Sequence, residues 1–335
     1  MPEMLMWRAL NDALATALRE DQRVMVMGED ISSWATGGGI FGVTRGLRRK
    51  FGSQRVRETP ISEEGIVAAG VGAAMMGRRP IVEIMYSDFT LLALDPIVNQ
   101  AAKARYMFGG QFDVPLVIRT NGGAASGKAA QHSQSLETLF AHVPGLEVVV
   151  PAFPHDARAL LAGAVASPNP TIFLEHKALY SHRGPVDDSP VALGSARVVR
   201  PGTAVTVVAT QLMVHRALAA AESLAASGVD VEVVDLRCLY PLDVDTVAES
   251  VRRTRRVLVC HEAPALFGFG GELASRLSEL LWNELDAPVA RLGGARAPIP
   301  YSAILEDEIV PTVRSIIAAV DAVLVPAGPR RSGTA

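Results

Sequence analysis

Several stretches of this chain have the residue types that chemistry would use, and most fail at the spacing. Gly122 to Lys128 reads G-G-A-A-S-G-K, the outline of a loop that cradles a nucleotide's phosphates. Ala129 follows where a hydroxyl must coordinate magnesium, which speaks against a nucleoside triphosphatase. Gly268, Gly270 and Gly271 resemble a dinucleotide turn, but Leu273 stands where the third glycine is needed, and glycines in a tight strand-to-helix turn are ordinarily structural. The seven histidines, His132, His142, His155, His176, His182, His215 and His261, lack the paired spacing of a zinc site, and no G-x-S-x-G elbow of a serine hydrolase occurs. There remains Thr59-Pro60-Ile61-Ser62-Glu63-Glu64-Gly65, in which Ser62 is placed to cap a helix with two acids in its first turn. Read alone, this is helix capping, worth a few tenths to about 1 kcal/mol from the dipole.

The elements that must position such residues alternate. Short apolar runs, Val24 to Met27, Pro80 to Met85, Val114 to Arg119, Leu146 to Val150 and Thr171 to Leu174, read as strands buried on both faces. Helical segments lie between them, among them Ser62 to Met76, Leu91 to Met107 and Asp156 to Ala166. Gly70, Gly72 and Gly77 suit close packing against a neighbouring helix. The periodicity then breaks at a Gly-, Pro- and Asp-rich stretch, and strand-then-helix repeats four times after it. The expected architecture is α/β in two domains, each a mostly parallel sheet flanked by helices. The first spans 1–185, a linker 186–203, the second 204–326, with a mobile tail at 327–335.

Composition narrows the function classes. With 335 residues, 49% of them hydrophobic and 20% charged, most of the chain can bury apolar surface. A net charge of -3 gives no electrostatic reason for a nucleic-acid partner. Cys238 and Cys260 sit in apolar runs that suit buried, reduced thiols, the N-terminus lacks a secretory pattern, and no apolar run reaches the roughly 20 residues that span a bilayer. A cytoplasmic protein without membrane contact is expected.

The wider pattern changes the reading of Glu63. Gly28-Glu29-Asp30, Thr59 to Glu63, Asp88-Phe89, Asp95, Asn99 to Lys103, Tyr106 to Gly110, Ala130-Gln131-His132-Ser133-Gln134 and Pro144-Gly145-Leu146 follow in an order and spacing that closely resemble the beta subunits of thiamin-diphosphate-dependent 2-oxoacid dehydrogenases, a transketolase-like family. The similarity runs nearly the whole length, to Pro300-Tyr301 and Leu305-Glu306-Asp307, and Glu175-His176-Lys177 with Leu179-Tyr180 looks most like the pyruvate and acetoin branches.

That resemblance implies a pyrimidine-binding domain followed by a transketolase C-terminal domain. It makes Glu63 the catalytic carboxylate that hydrogen-bonds the aminopyrimidine of thiamin diphosphate and promotes its imino tautomer. It places Ile61, Glu29 and Phe89 at the cofactor, although Phe89 read by itself also suits a core position at a strand end. His132 corresponds to a histidine near the reacting centre that assists proton transfer or acyl transfer to lipoamide, a task suited to an unperturbed pKa near 6.5. Some relatives hold a structural potassium ion on carbonyls that correspond to Leu116, Ala164 and Val165, with Asn169 nearby; Ser167 stands where they have aspartate. No Gly-Asp-Gly diphosphate motif occurs, so magnesium and the diphosphate are expected on an alpha subunit, in an α2β2 tetramer that docks on a lipoyl acyltransferase core. Two alternatives stand beside this reading. One is transketolase-like transfer of a two-carbon unit from a ketose phosphate to an acyl carrier protein, and the other is a non-catalytic scaffold for the alpha subunit.

Overall fold

Val24, Val26, Val56, Ile81, Val82, Ile118, Ile172 and Phe173 are almost wholly inaccessible to solvent, as residues of strands covered on both faces must be. The computed structural model describes residues 2–32, 37–124 and 127–325. Its contacts divide the chain into two units. The first runs through Ser195 and takes back Arg237–Leu242 and Pro298–Glu306; the second comprises Ala196–Leu236, Asp243–Ala297 and the chain from Asp307 onward.

The first unit contains β1 (Glu3–Leu5), β2 (Val24–Glu29), β3 (Val56–Thr59), β4 (Arg79–Glu83), β5 (Val117–Gly122), β6 (Glu147–Val149), β7 (Thr171–His176) and β8 (Arg183–Pro185). β1 and β8 form a small antiparallel pair. The other six make a parallel sheet in the order β6-β7-β5-β4-β2-β3. Cys238–Tyr240 adds an antiparallel strand beside β6. This segment was expected in the second domain; pairing with β6 buries Cys238 and Leu239 and covers an otherwise open sheet edge.

The helix Glu63–Met75 packs on β4 and on a 3-10 helix, Ser87–Ala93. Gly70 lies in this helix where a Cβ would meet Val82 at 2.8 Å and Leu116 at 3.1 Å. The close neighbours are thus from β4 and the approach to β5, not the helix expected. The long helix expected over Leu91 to Met107 is broken into the 3-10 turn, a π-helical turn Pro96–Ala101 and an α-helix Ala102–Met107. Pro96 lacks the N–H a continuous helix would need, so a new element starts there.

The second unit holds a five-stranded sheet in the order Ala290–Gly294, Val257–Pro264, Val205–Ala209, Val231–Asp235 and Arg197–Arg200. The first four are parallel. Arg197–Arg200 is an antiparallel edge strand inside the stretch expected as linker; its half-buried, arginine-flanked sequence hides it from a search for apolar runs. Both cysteines are buried and neither is in a disulfide. Among the described residues, no helix is long and apolar enough to cross a membrane. The tail 327–335 lies outside the described residues.

Candidate active site

In a parallel sheet the carboxyl ends of the strands leave a crevice where ligands settle. In the first unit β2, β3, β4, β5 and β7 end at this edge on Glu29, Thr59, Glu83, Gly122 and His176. Three of the five end residues are thus ionisable.

Glu63 opens the helix that follows β3 and is only 8% exposed. Ser62 occupies the capping position but makes no side-chain cap hydrogen bond, so the capping expected of it is not formed. Glu29 faces the same region. Burial pushes its carboxyl above the ordinary carboxylate range, and the charges of Asp30 and Glu63 push it further. Two carboxylates that feel each other at a half-buried strand end are a recurrent sign of proton-transfer sites.

A second group gathers around the 3-10 helix. The rings of Phe89 and His132 lie 5.3 Å apart, Tyr86 and His132 4.8 Å apart, and Tyr86 and Phe89 5.6 Å apart, all edge to face. His132 and Phe89, read from distant parts of the sequence, therefore share one aromatic wall, and Phe89 is half-buried in it. Burial, with the nearby Asp88 charge, raises the Tyr86 phenol. Since the Glu63 helix packs on the 3-10 helix that carries Phe89, the two groups belong to one neighbourhood.

Several buried polar atoms here have no hydrogen-bond partner: Thr59 Oγ1, Asp88 Oδ2, Thr120 Oγ1, Asn121 Oδ1 and Ser133 Oγ. Such atoms are costly in a folded interior, and their collection at one strand edge marks a place shaped for something else to bind. Ile61, by contrast, is 74% exposed beside them, and Leu92 is 64% exposed. A buried carboxylate with apolar surface alongside fits a flat, partly aromatic ring with a hydrogen-bonding edge.

Beneath this edge lies a network that sequence reading missed. Arg119, 2% exposed, makes a bidentate pair with Glu175 (2.6 and 2.7 Å) and a third bond to Glu83 (2.6 Å), while the Tyr180 hydroxyl donates to Glu175 at 2.6 Å. Burial opposes the guanidinium charge, but Glu175 and Glu83 outweigh it and hold Arg119 protonated. Burial raises Glu175 against the pull of Arg119, and raises the Tyr180 phenol well above its usual value. Glu175 and Tyr180 stood out in the sequence only as parts of a motif, and Glu83 and Arg119 only as charged residues inside otherwise apolar strands.

The residues expected around potassium are close together, and their groups have protein partners. Leu116 O accepts from Thr171 N at 2.8 Å, Ala164 O from Ser167 N at 3.3 Å, and Val165 O from the Arg79 guanidinium at 2.5 Å. Asn169 donates to Glu147 at 3.0 Å and accepts from Arg105 at 3.1 Å. Glu147, buried and bonded also by Ser167 and Thr171, brings the negative charge that Ser167 lacks. Among the described residues no cluster of three or more His, Cys, Asp or Glu side chains gathers as a metal site.

The chain matches known proteins over most of its length. The family model described as transketolase, pyrimidine binding domain matches residues 3–183, and that of the transketolase C-terminal domain matches 194–316. The chain is 43% identical over 326 residues to the pyruvate dehydrogenase E1 component subunit beta of Rhizobium meliloti, covering 96% of this chain and 70% of that protein. It is 43% identical over 320 residues to the beta subunit of acetoin:2,6-dichlorophenolindophenol oxidoreductase of Cupriavidus necator, covering 93% and 94% of the two chains. A solved structure described as a split gene transketolase, inactive beta4 tetramer, shares the fold with a TM-score of 0.76 at 24% identity, covering 95% and 97%.

Proposed function

Because the chain belongs to the transketolase-like beta subunits of the pyruvate and acetoin dehydrogenases, we propose that it is the half of a thiamin-diphosphate enzyme that holds the aminopyrimidine end of the cofactor. The observation that carries the proposal is the buried Glu63 carboxylate at the carboxyl edge of the parallel sheet, electrostatically coupled to Glu29. Neither transketolase-like transfer to a carrier protein nor a scaffold role is favoured by these relatives.

When bound, the cofactor supplies the nucleophile and electron sink for cleaving the bond beside a carbonyl. This chain's residues do the rest. Glu63 would accept a hydrogen bond from the ring nitrogen and shift the ring's proton balance, with Glu29 beside it, its carboxyl raised by burial and the neighbouring charges. Phe89 and the exposed Ile61 give the ring apolar contact. His132, held edge-on to Tyr86 and Phe89, moves a proton during acyl transfer to a lipoyl group.

Magnesium and the diphosphate belong on an alpha subunit in an α2β2 assembly, since this chain has no Gly-Asp-Gly segment and shows exposed apolar residues beside its carboxylates. The assembly works in the cytoplasm and hands its product to an acyltransferase core. A structural potassium ion would be held by the carbonyl oxygens of Leu116, Ala164 and Val165 beside Asn169, with Glu147 as its counter-charge, and would have to displace the Arg79 guanidinium from Val165 O. The test is turnover of pyruvate and of acetoin by the alpha-beta pair. Glu63→Gln should lower kcat by about 100-fold or more without dissociating the pair; unchanged kcat would overturn the assignment.

A further inference from the structure

Glu175-His176-Lys177 continues past the end of β7, and Glu175 already has a place in the buried network. The two residues after it converge on the segment that carries His132. The Lys177 ammonium is buried, at 6% exposure, and donates to the carbonyl oxygens of both Gly123 and His132, the latter at 2.6 Å. One nitrogen therefore joins Gly123, the residue after β5, to His132. The His176 ring lies against the same glycine, for a Cβ on Gly123 would meet its Nε2 at 2.1 Å. Gly123 also has a φ of +85°, a conformation that L side chains rarely adopt. Two consecutive side chains thus hold Gly123, and Lys177 holds His132 as well, through contacts that leave the His132 imidazole free to face Tyr86 and Phe89.

We propose that Lys177 is a positioning residue for His132: its ammonium, bonded to the carbonyls of Gly123 and His132, sets where the imidazole stands. The proposal rests on the role given to His132 above, but its geometry is independent of that role. An ammonium suits the task because it has three donors and can satisfy two backbone carbonyls at once. A methionine of similar length would leave both carbonyls without their donor.

The test uses the alpha-beta pair with four variants: Lys177→Met, Lys177→Arg, His132→Ala and the double substitution Lys177→Met with His132→Ala. Acyl transfer to a lipoyl domain is followed together with the rate at which diethyl pyrocarbonate labels His132. Lys177→Met should lower kcat about tenfold or more with KM within about twofold, as expected when a reacting group is displaced rather than substrate binding lost. Lys177→Arg should recover at least part of the loss, and in the His132→Ala background Lys177→Met should change kcat by less than about twofold. Labelling of His132 in Lys177→Met should be altered about threefold or more. Losses that multiply in the double variant would overturn the proposal and leave the His132 assignment standing. If His132→Ala turns over at the wild-type rate, the catalytic role of His132 falls, and the labelling rate then decides the positioning alone: a changed rate supports it and an unchanged one overturns it. Should Lys177→Met fail to assemble with the alpha subunit, Lys177→Gln, which keeps one donor group, gives the same comparison.

Discussion

The two units are built on the same plan, parallel strands with helices between, yet their strand ends differ in kind. In the first unit the carboxyl ends bear Glu29, Glu83 and the approach to Glu63, together with buried polar atoms that lack partners. In the second the ionisable residues toward the corresponding ends, Asp235 and His261, are wholly buried, whereas Glu29 and Glu83 are only half-buried, although His261 Nε2 also has no hydrogen-bond partner. His261, wholly buried, lies under Gly268, Gly270 and Gly293, where an added Cβ would come within 2.8 Å of its ring, and its Nδ1 is bonded to Ala263 O at 2.9 Å. Polar residues of that unit instead knit a satisfied cluster of Thr206, Ser250, Thr254, Glu232 and Arg253. The difference teaches that topology alone does not make a site. A strand edge becomes one when it keeps ionisable groups that a ligand can still reach, as Glu29 and Glu83 can be and Asp235 and His261 cannot.

Breaking the first unit's network should have the largest effect on folding. Arg119→Met leaves Glu175 and Glu83 buried without their cation, and a loss of about 3–5 kcal/mol is expected in urea denaturation. A loss under about 1 kcal/mol would show the network to be dispensable for folding. The next effect belongs to the second unit and to pH. Burial depresses His261 to about 4, from an ordinary value of 6.5. A histidine with a depressed folded pKa gives full stability above its unfolded value and loses it as pH falls through the window from about 6.5 to 4. His261→Phe should therefore flatten the pH dependence of the melting temperature in that window relative to wild type; an identical slope would mean that other groups control it.

Gly123→Ala tests the first unit more locally. With a positive φ and a ring at 2.1 Å, it should cost about 1–3 kcal/mol and impair acyl transfer, whereas Gly72→Ala, with nothing within 4 Å, should stabilise the helix slightly or leave it unchanged. The smallest effect on stability is expected at Ile61. Ile61→Ser should move the isolated chain's stability by less than about 0.5 kcal/mol while weakening its association with an alpha subunit, read by sedimentation.

Much of the fold was legible because buried parallel strands are continuous apolar runs, and Val24, Ile81, Ile118 and Ile172 announce them. What escaped depended on partners distant in sequence. Arg197–Arg200 and Cys238–Tyr240 are strands only because an edge was waiting for them. Arg119 becomes the centre of a network only once β5 lies between β4 and β7, an order that no local pattern encodes. Of the candidate site, Glu63, Glu29, Phe89 and His132 were named through resemblance, and their meeting in one neighbourhood is what the fold adds. Lys177 was visible as part of a motif, but its grip on two carbonyls was not.

The most direct test of the half-site is thiamin-diphosphate binding, measured by calorimetry with magnesium present, for this chain alone, for the alpha subunit alone, and for the pair with Glu63 or with Glu63→Gln. Binding at full affinity by the pair only, weakened at least tenfold by the substitution, is the predicted result. Equal binding by this chain alone, or by a pair indifferent to the substitution, would contradict the account.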